Sequence, residues 1–314
     1  MRVAVVGAGM AGAACAQGLA EAGHEVLVFE KSRGLGGRLA TRRGDGWQVD
    51  HGAPAFEARS APFRSQLDDW SRRGIAGHWR ASGPEETLFV GTPRQNAPVS
   101  ALLDGIAVER DWRVTDVQRS SRHWVLTGEG DRSAGGFDAL VLAVPPEQAR
   151  VLFAAAGLSW PGELAGLDLE PCWAVLLRYA HPLSLGFEYR RPGSGPVALW
   201  ARDSGKPGRA GEETWILHST AGWARQQIET SAAEVCSALV AWTLGEGAPE
   251  PVEALAHRWR YATGHGSVAA ACHHEPTLSL GLCGDWLAGG GVEGAWLSGR
   301  ALAQRLVPGS GGNR

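Results

Sequence analysis

Three glycines near the start of the chain, Gly7, Gly9 and Gly12, have the G-x-G-x-x-G spacing of a phosphate-binding turn. The turn follows a short β-branched run and opens a segment, 10–22, that is predicted to be helical. Free backbone N–H groups at the start of a helix, together with the helix dipole, favour a pyrophosphate there. In this pattern Gly7 permits the tight turn, Gly9 lets a phosphate approach the backbone, and Gly12 lets the helix pack closely on the strand.

A carboxylate at the end of the next predicted strand, 25–30, supplies the second part of the pattern. Glu30 stands where a carboxylate can bind both hydroxyls of an adenosine ribose. A 2′-phosphate is disfavoured at this position, because two negative charges would face each other unpaired. The two motifs together predict a dinucleotide without a 2′-phosphate on its adenosine.

The elements that must position these groups form a strand–helix–strand unit, which implies a parallel sheet. Two further apolar runs, 139–144 and 278–283, are predicted to be buried strands, and residues 292–306 are predicted to form the final helix. Short alternating segments predict a small antiparallel meander at 106–108, 112–119 and 124–127. The predicted fold class is therefore α/β: a Rossmann-type domain with a parallel sheet and a small antiparallel meander, plus a discontinuous α+β domain.

The elements of the dinucleotide site lie at the start, in the middle and at the end of the chain. The stretches between them hold most of the tryptophans and no dinucleotide signature. We therefore expect residues 1–54, 98–150 and 272–314 to form the cofactor domain, and 55–97 and 151–271 to form a substrate domain. The glycine-rich tail, 309–314, is expected to be disordered.

Composition excludes several classes of protein. The 314 residues suffice for two domains, and a net charge of −3 gives no basic footprint for nucleic acid. The five cysteines include no CxxC pair, so we expect no disulfide framework, no metal site and a reducing, cytoplasmic location. Glycines interrupt the apolar run after Met1, so no signal peptide is expected, and no apolar run of about 18 residues predicts a membrane span.

A second glycine-rich segment, 33–38, follows Glu30 and makes the pattern more specific. Its adjacent glycines let the chain fold over a pyrophosphate, and Arg38 supplies a planar cation for it. The sequence E-K-S-R-G-x-G-G-R resembles the second FAD-binding element of the amine oxidase and phytoene desaturase superfamily. This resemblance implies that the cofactor is FAD.

A third segment runs from Cys283 through Asp285 and the glycines 289–291 into the final helix. In the superfamily, the Asp after such a strand binds the ribitol chain, and Asp285 matches that position. The final helix would direct its N-terminus at the flavin, where its dipole stabilises the negative charge of the reduced ring. Because Cys283 lies inside the predicted strand, FAD is expected to be held non-covalently.

The resemblance and the motifs together give a set of predicted FAD-binding residues, in which Val114 would meet the adenine through its backbone. The set is Gly7, Gly9, Met10, Ala11, Gly12, Glu30, Lys31, Arg33, Gly37, Arg38, Pro54, Ala55, Val114, Asp285, Val292, Glu293 and Ala295.

Further matching segments are Asp50–Ala53, Phe56 with Phe63, Ala201–Arg209, Trp215–Thr220, His257–Ala262 and Val292–Gly299. These segments resemble bacterial renalase-like proteins. The resemblance implies an oxidase of dihydronicotinamide dinucleotides reduced at ring position 2 or 6, which yields NAD(P)⁺ and reduces oxygen to hydrogen peroxide. The flavin carries the hydride transfer, so no side-chain base is obligatory.

The chain departs from that family at one place. Where renalase-like proteins read G-A-Q-Y-F, this chain has Gly52-Ala53-Pro54-Ala55-Phe56, so a Gln and a Tyr near the flavin and substrate are absent. FAD binding should survive this change, whereas the substrate is left open. The nicotinamide would stack against aromatic side chains, and the candidate pocket residues are Trp259, Tyr261, Trp296 and Trp286, with His218 as a polar contact.

Two other functions fit the same residues. One is an amine oxidase, or an oxidase of another small molecule, from the same superfamily. Amine oxidases commonly place a lysine near the flavin, but Lys31 adjoins Glu30 and Lys206 lies in a Pro/Gly-rich turn, so a matching lysine is not expected. The other is a flavin-bearing sensor or binding module without turnover. Either oxidase would take a small-molecule substrate and oxygen as partners.

Overall fold

The computed structural model describes residues 1–81, 87–264 and 270–307. Its strands are β1 Arg2–Val6, β2 Glu25–Phe29, β3 Thr41–Arg43, β4 Gln48–Asp50, β5 Ala76–Trp79, β6 Leu88–Gly91, β7 Ala107–Glu109, β8 Val114–Ser120, β9 His123–Gly128, β10 Ser133–Phe137, β11 Ala139–Leu142, β12 Glu170–Tyr179, β13 Tyr189–Arg190, β14 Val197–Arg202, β15 Glu213–Ser219, β16 Glu253–Thr263, β17 His273–Glu275 and β18 Leu280–Leu282. Its helices are α1 Met10–Glu21, α2 Ala61–Arg72, α3 Ala97–Leu102, α4 Pro146–Ala155, α5 Ala221–Gln226, α6 Ala232–Gly245 and α7 Gly291–Leu306. The tail predicted to be disordered, 309–314, lies outside the described residues.

The chain divides into two compact units, each assembled from separate stretches. Unit 1 comprises Met1–Gly37, Val99–Leu169 and Gly264–Arg314, and unit 2 comprises Arg38–Pro98 and Glu170–Thr263. Compared with the predicted division, residues 38–54 and 98 belong to unit 2, and residues 151–169, 264 and 270–271 belong to unit 1. The assignment of cofactor and substrate to separate domains stays a prediction.

The main sheet of unit 1 has six strands in the order β17–β18–β11–β1–β2–β7. β1 lies between β2 and β11 and is parallel to both. Its residues Val3, Ala4 and Val5 are fully buried, as expected for a strand covered on both faces. β18 and β7 extend the parallel arrangement, whereas β17 pairs antiparallel with β18 at the edge. The predicted parallel sheet is confirmed, with one antiparallel edge strand in addition.

The antiparallel meander is also present, although two of its details differ from the prediction. It consists of β8, β9 and β10. The placement of 106–108 in the meander is wrong, because β7 pairs parallel with β2 in the main sheet. β10 is not recognisable from its sequence, Ser-Ala-Gly-Gly-Phe, since glycine is unfavourable inside a strand.

The helices α1 and α7 of unit 1 pack against each other through glycines. A Cβ on Gly299 of α7 would lie 2.2 Å from the Ala11 carbonyl oxygen in α1, and one on Gly18 would lie 2.8 Å from the Ala303 Cβ. The Ser298 hydroxyl accepts the N–H of Gly284 at 2.9 Å, which ties α7 to the chain after β18. These contacts fix the start of the chain relative to the segment that follows β18.

Unit 2 is built on a five-stranded antiparallel sheet in the order β13–β14–β15–β12–β16. Alternate residues of β12 face two separate apolar clusters. Trp173 and Tyr179 face the cluster that α5 and α6 join, whereas Ala174 faces the other cluster. The short hairpins β3–β4 and β5–β6 contribute Val49 and Trp79 to this second cluster.

Among residues 1–81, 87–264 and 270–307, none of the helices combines the length and the apolar character that a membrane span requires. The same residues contain no group of three or more His, Cys, Asp or Glu side chains that could hold a metal ion. The five cysteines are free thiols.

Candidate functional site

The turn between β1 and α1 excludes side chains at two of its three glycines. Gly7 has a φ of +107°, and a Cβ there would lie 2.5 Å from the Ala143 carbonyl oxygen. A Cβ on Gly12 would lie 1.9 Å from the Gly7 carbonyl oxygen. Only glycine fits either position, because the turn closes both on itself and on the chain after β11.

The second glycine-rich segment runs beside this turn. Gly36 donates its N–H to the Ala8 carbonyl oxygen at 3.0 Å, and Gly9 and Gly36 form a parallel bridge. The nearest atom to a Cβ on Gly9 would be the Gly36 carbonyl oxygen, 4.0 Å away. The two segments therefore lie side by side and leave open space next to Gly9.

The N-terminus of α1 has no side-chain cap. Its N-cap residue is Gly9, and its first turn contains no acidic residue. Met10 and Ala11 bury their side chains at this end, so they offer a ligand their backbone N–H groups. Uncapped N–H groups and the helix dipole favour an anion here, which agrees with the predicted pyrophosphate site.

The predicted ribose ligand, Glu30, directly follows β2 and is only 5% exposed. One carboxylate oxygen accepts the N–H of Ala8 at 2.9 Å, and the other accepts the N–H of Ser32 at 2.8 Å. Each carboxylate oxygen can accept a second hydrogen bond, so both retain capacity for a ribose hydroxyl. The carboxylate is thus anchored to the glycine-rich turn itself.

A second uncapped helix N-terminus lies at the far end of the chain. Asp285 is 4% exposed, and its carbonyl oxygen accepts the N–H of Gly290 at 2.8 Å. The glycines 289–291 all have φ between +71° and +84°, a conformation that favours glycine. They lead into α7, whose N-cap has no side-chain hydrogen bond. Three predicted residues lie in the first five residues of α7: Val292, Glu293 and Ala295.

Four further predicted FAD-binding residues of unit 1 differ in how accessible they are to a ligand. The segment after Glu30 exposes Lys31, Arg33 and Gly37, whereas Val114 is half-buried at the start of β8. Partial burial and the nearby Arg113 guanidinium lower the pKa of Lys31.

Two of the candidate pocket residues, Trp286 and Trp296, lie in unit 1, and both are buried. Trp286 is 1% exposed and stacks on Trp160 with ring centroids 6.3 Å apart. Trp286 therefore belongs to the core of unit 1 and does not form an exposed wall. Trp296 lies within α7 and is 7% exposed.

Four charged side chains form a cluster in the interior of unit 2. Asp50 Oδ2 accepts hydrogen bonds from Lys206 Nζ at 2.9 Å and Arg209 Nη2 at 2.6 Å, and Asp203 Oδ1 accepts from Lys206 Nζ at 2.5 Å. Their side chains are at most 1% exposed. The two acids and two bases balance in charge, which a buried cluster requires. Lys206, one of the two lysines considered for a flavin-side role, is thus held by two carboxylates.

The two acids of this cluster titrate differently. Burial and the nearby Asp50 raise the pKa of Asp203 to about 6. Burial opposes ionisation of Asp50 as well, but the charges of Lys206 and Arg209 outweigh it and lower the pKa of Asp50 to about 2.

The segment 52–55, which contains the departure from the family pattern, is held against Arg38. Ala53 donates its N–H to the Arg38 carbonyl oxygen at 2.7 Å, and a Cβ on Gly52 would lie 2.0 Å from the same oxygen. The Arg38 guanidinium donates through Nη1 to the Ala262 carbonyl oxygen at 2.8 Å. Part of the guanidinium predicted to contact the pyrophosphate therefore binds β16. Both residues that follow Ala53 are half-buried.

Three histidines and a tryptophan form an aromatic cluster in unit 2. His218 of β15 and His257 of β16 occupy matching positions on either side of β12. The His51 ring stacks on Trp259 with centroids 5.4 Å apart, and the His51 carbonyl oxygen accepts Trp259 Nε1–H at 2.8 Å. The cluster brings together two candidate pocket residues, Trp259 and His218. Tyr261 lies two residues further along β16 and is half-buried.

The imidazoles of this cluster are held neutral. Burial, His257 and the nearby Arg42 guanidinium lower the pKa of His51 to about 4. Burial and the charge of Lys206 lower the pKa of His218 to about 4 as well. At pH 7 both rings therefore offer a neutral donor and a neutral acceptor.

We expect the free energy of unfolding to fall as the pH is lowered from 7 to 4. A histidine with a depressed pKa stabilises the fold above its unfolded value of 6.5, and this stabilisation is lost as the pH falls toward 4. His51 and His218 should each lose about 3 kcal/mol, while Asp203, with its raised pKa, should offset about 2 kcal/mol. The net loss of about 4 kcal/mol is measurable by urea unfolding at several pH values.

His218→Gln should remove most of this pH dependence. It deletes one of the two rings that lose stability at low pH, and the opposite effect of Asp203 then offsets most of the loss from His51. His181 is exposed, so His181→Gln is the matched control and should leave the dependence as in the wild type. An unchanged pH dependence in His218→Gln would contradict the assignment.

The sequence motifs did not single out Gln95, a fully buried residue that links two parts of this region. Its Nε2 donates to the Ala53 carbonyl oxygen at 2.9 Å, and its Oε1 accepts the N–H of Gly91 at 2.9 Å. A lone glutamine has no pattern to mark it. A signal did exist for the charged cluster, since Asp203, Lys206 and Arg209 are spaced three residues apart.

The geometry of unit 1 fits a flavin dinucleotide. It provides a side-chain-free surface at Gly9, an uncapped helix N-terminus beside that surface, and a buried carboxylate with acceptor capacity to spare. The uncapped N-terminus of α7 supplies a second group of backbone donors within the same unit.

Comparisons with known proteins agree with this geometry. Residues 5–70 match the NAD(P)-binding Rossmann-like domain, and residues 73–307 match the flavin-containing amine oxidoreductase family. A 4,4′-diapophytoene desaturase of Staphylococcus aureus (strain Newman) is 46% identical over 52 residues, which are 17% of this chain and 10% of the desaturase. The chain thus matches only about a tenth of the length of that curated relative.

Two solved structures share the fold over almost the whole chain. A protein of Exiguobacterium sp. 255-15 classed as a protoporphyrinogen oxidase has a TM-score of 0.76 at 12% identity, covering 97% of this chain and 98% of that one. An engineered triple variant of a putrescine oxidase has a TM-score of 0.75 at 15% identity, covering 98% of each chain. The family match spans well over half of the sequence, so the protein belongs to the flavin-containing amine oxidoreductases, FAD-dependent enzymes with a Rossmann-like dinucleotide-binding domain.

Proposed function

We propose that the protein is a renalase-like FAD oxidase that converts dihydronicotinamide dinucleotides reduced at ring position 2 or 6 into NAD(P)⁺. In the overall reaction the substrate loses one hydride, which provides two electrons and one proton, and oxygen takes these up with one further proton from solvent to become hydrogen peroxide. Bound FAD would supply the redox chemistry, and the residues of the chain would bind and orient the flavin and the substrate.

One observation carries this proposal. Three segments that resemble renalase-like proteins lie far apart in the sequence but contact one another in unit 2. Asp50 binds Lys206 and Arg209, and the next residue, His51, stacks on Trp259. In a family with a shared site, the residues that form the site are expected to be retained together. The contacts of these segments therefore support the resemblance to renalase-like proteins.

The residues of unit 1 are assigned to FAD within this proposal. The backbone around Gly7, Gly9 and Gly12 holds the pyrophosphate, and Glu30 accepts the hydroxyls of the adenosine ribose. Asp285 binds the ribitol chain, and the N-terminus of α7 faces the flavin. No covalent bond to the flavin is required, so acid or heat should release it.

The residues of unit 2 are assigned to the substrate. The aromatic side chains of Trp259 and Tyr261 would stack on a nicotinamide ring, and the neutral rings of His51 and His218 suit its uncharged carboxamide. The alternative, an amine oxidase, has in its favour the family name and the fold shared with a putrescine oxidase. Against it, Lys206 is held by two carboxylates and cannot serve as the lysine near a flavin.

Anaerobic mixing of the FAD-loaded protein with candidate reductants tests the proposal. We expect the isomers reduced at position 2 or 6 to bleach the flavin absorbance quickly and ordinary NAD(P)H, reduced at position 4, to do so much more slowly. The reason is that a pocket which stacks one ring edge over the flavin misplaces the other edge, and misplacement lowers the rate steeply. The double change Pro54→Gln with Ala55→Tyr should raise the rate, since it restores the family residues.

The outcomes separate the three functions. Faster reduction by primary amines such as putrescine would establish the amine oxidase. No reduction by any reductant of either class would favour another substrate or a module without turnover.

A further inference from the structure

Four of the seven residues in the segment 50–56 form backbone hydrogen bonds to other parts of unit 2. The N–H of Asp50 donates to Asp203 Oδ1 at 3.2 Å, and the carbonyl oxygen of His51 accepts Trp259 Nε1–H at 2.8 Å. Ala53 is bound on both sides, by the Arg38 carbonyl oxygen and by Gln95 Nε2. Phe56 then exchanges both backbone hydrogen bonds with Phe89, at 2.9 and 2.8 Å.

The side chain of Asp50 is the central anchor of this segment. Its Oδ1 accepts from the Thr41 hydroxyl at 2.6 Å and from the Gln95 N–H at 3.4 Å. Its Oδ2 accepts from Lys206 and Arg209. Four donors from three other parts of unit 2 therefore hold one carboxylate, and the chain can leave this position only by breaking a buried charged cluster.

We propose that Asp50, Lys206, Arg209 and Gln95 are positioning residues, which hold 51–55 in one conformation in advance of any ligand. This inference rests on the proposed function, since in renalase-like proteins the residues that match Pro54 and Ala55 lie near the flavin and the substrate. Pre-organisation of that kind matters for rate, because a displacement of about 1 Å at a reacting group costs roughly 100-fold in rate. The positioning residues touch neither substrate nor cofactor and act only through the segment they hold.

Two variants with a matched control test the inference. Gln95→Met removes the hydrogen bond to the Ala53 carbonyl without changing charge. Asp50→Asn combined with Lys206→Met removes one acid and one base, so the cluster stays neutral while its three ion pairs are lost. Glu213→Gln is the control, since Glu213 is also a buried acid paired with an arginine, Arg202, but its hydrogen bonds run to other residues.

The first readout needs no substrate. Hydrogen–deuterium exchange of the backbone N–H groups of 51–53, 55 and 56 should be at least about 10-fold faster in Gln95→Met and in the double variant than in the control. Gln95→Met decides the matter if the double variant does not fold. Equal exchange in Gln95→Met and Glu213→Gln would overturn the inference, whether or not the proposed substrate is correct.

The second readout uses whichever reductant bleaches the flavin of the wild type. The limiting rate of flavin reduction should fall about 10-fold or more in the two variants, with a change of less than about 3-fold in the half-saturating concentration. The control should change neither value by more than about 2-fold. Faster exchange with an unchanged limiting rate would also overturn the positioning role, whereas a wild type inert to dihydronicotinamides would reject only the proposed substrate.

Discussion

Gly12→Ala should abolish tight FAD binding. The added methyl group would lie 1.9 Å from the Gly7 carbonyl oxygen, a distance at which the backbone of the turn or the helix must move. A move of this kind withdraws backbone N–H groups from the pyrophosphate. Losing two charge-assisted hydrogen bonds, each worth about 1.5–3 kcal/mol, weakens binding by roughly 100-fold or more. Flavin content after purification and titration of the apoprotein with FAD measure the effect.

Gly34→Ala is the matched control for this variant. Gly34 belongs to the second glycine-rich segment, and a Cβ there would meet no atom within 4 Å. It should therefore bind FAD as the wild type does. Retention of full FAD affinity by Gly12→Ala would show that the turn does not hold the pyrophosphate.

Lys206→Met should destabilise unit 2 by about 3–5 kcal/mol, because it leaves two buried carboxylates with Arg209 as their remaining cation in the cluster. Urea unfolding at pH 7 measures this loss. The only other lysine of the chain, Lys31, is exposed, so Lys31→Met should change stability by less than about 0.5 kcal/mol. Equal stability of the two variants would mean that the buried cluster contributes nothing.

Unit 1 is largely predictable from sequence because its signals are local. The apolar run before Gly7 and the one at 139–144 are strands buried on both faces. A continuous apolar run of this kind can be recognised without knowing which strands pair with it. The glycine spacing and Glu30 lie within one strand–helix–strand unit, so their geometry follows from that unit alone. The Asp285 segment is separated from this unit by most of the chain, and family resemblance was needed to connect the two.

Unit 2 is less predictable because its contacts are long-range. Asp50 and Lys206 are 156 residues apart in the chain, and nothing near either residue indicates that they pair. The strand β7 of unit 1 shows the same limit, since a short strand does not encode which sheet it joins. Aromatic residues are also ambiguous, because Trp286 in the core and Trp259 on His51 look alike in sequence.

The contact between α1 and α7 has a consequence for biosynthesis. Gly299 of the last helix packs directly on Ala11 of the first, so unit 1 cannot close until residues 291–306 have left the ribosome. Domains usually fold as they emerge, N-terminal first. Here the N-terminal strands must wait for a helix that begins about 280 residues later in the chain, and flavin uptake is expected only once that helix has emerged and packed.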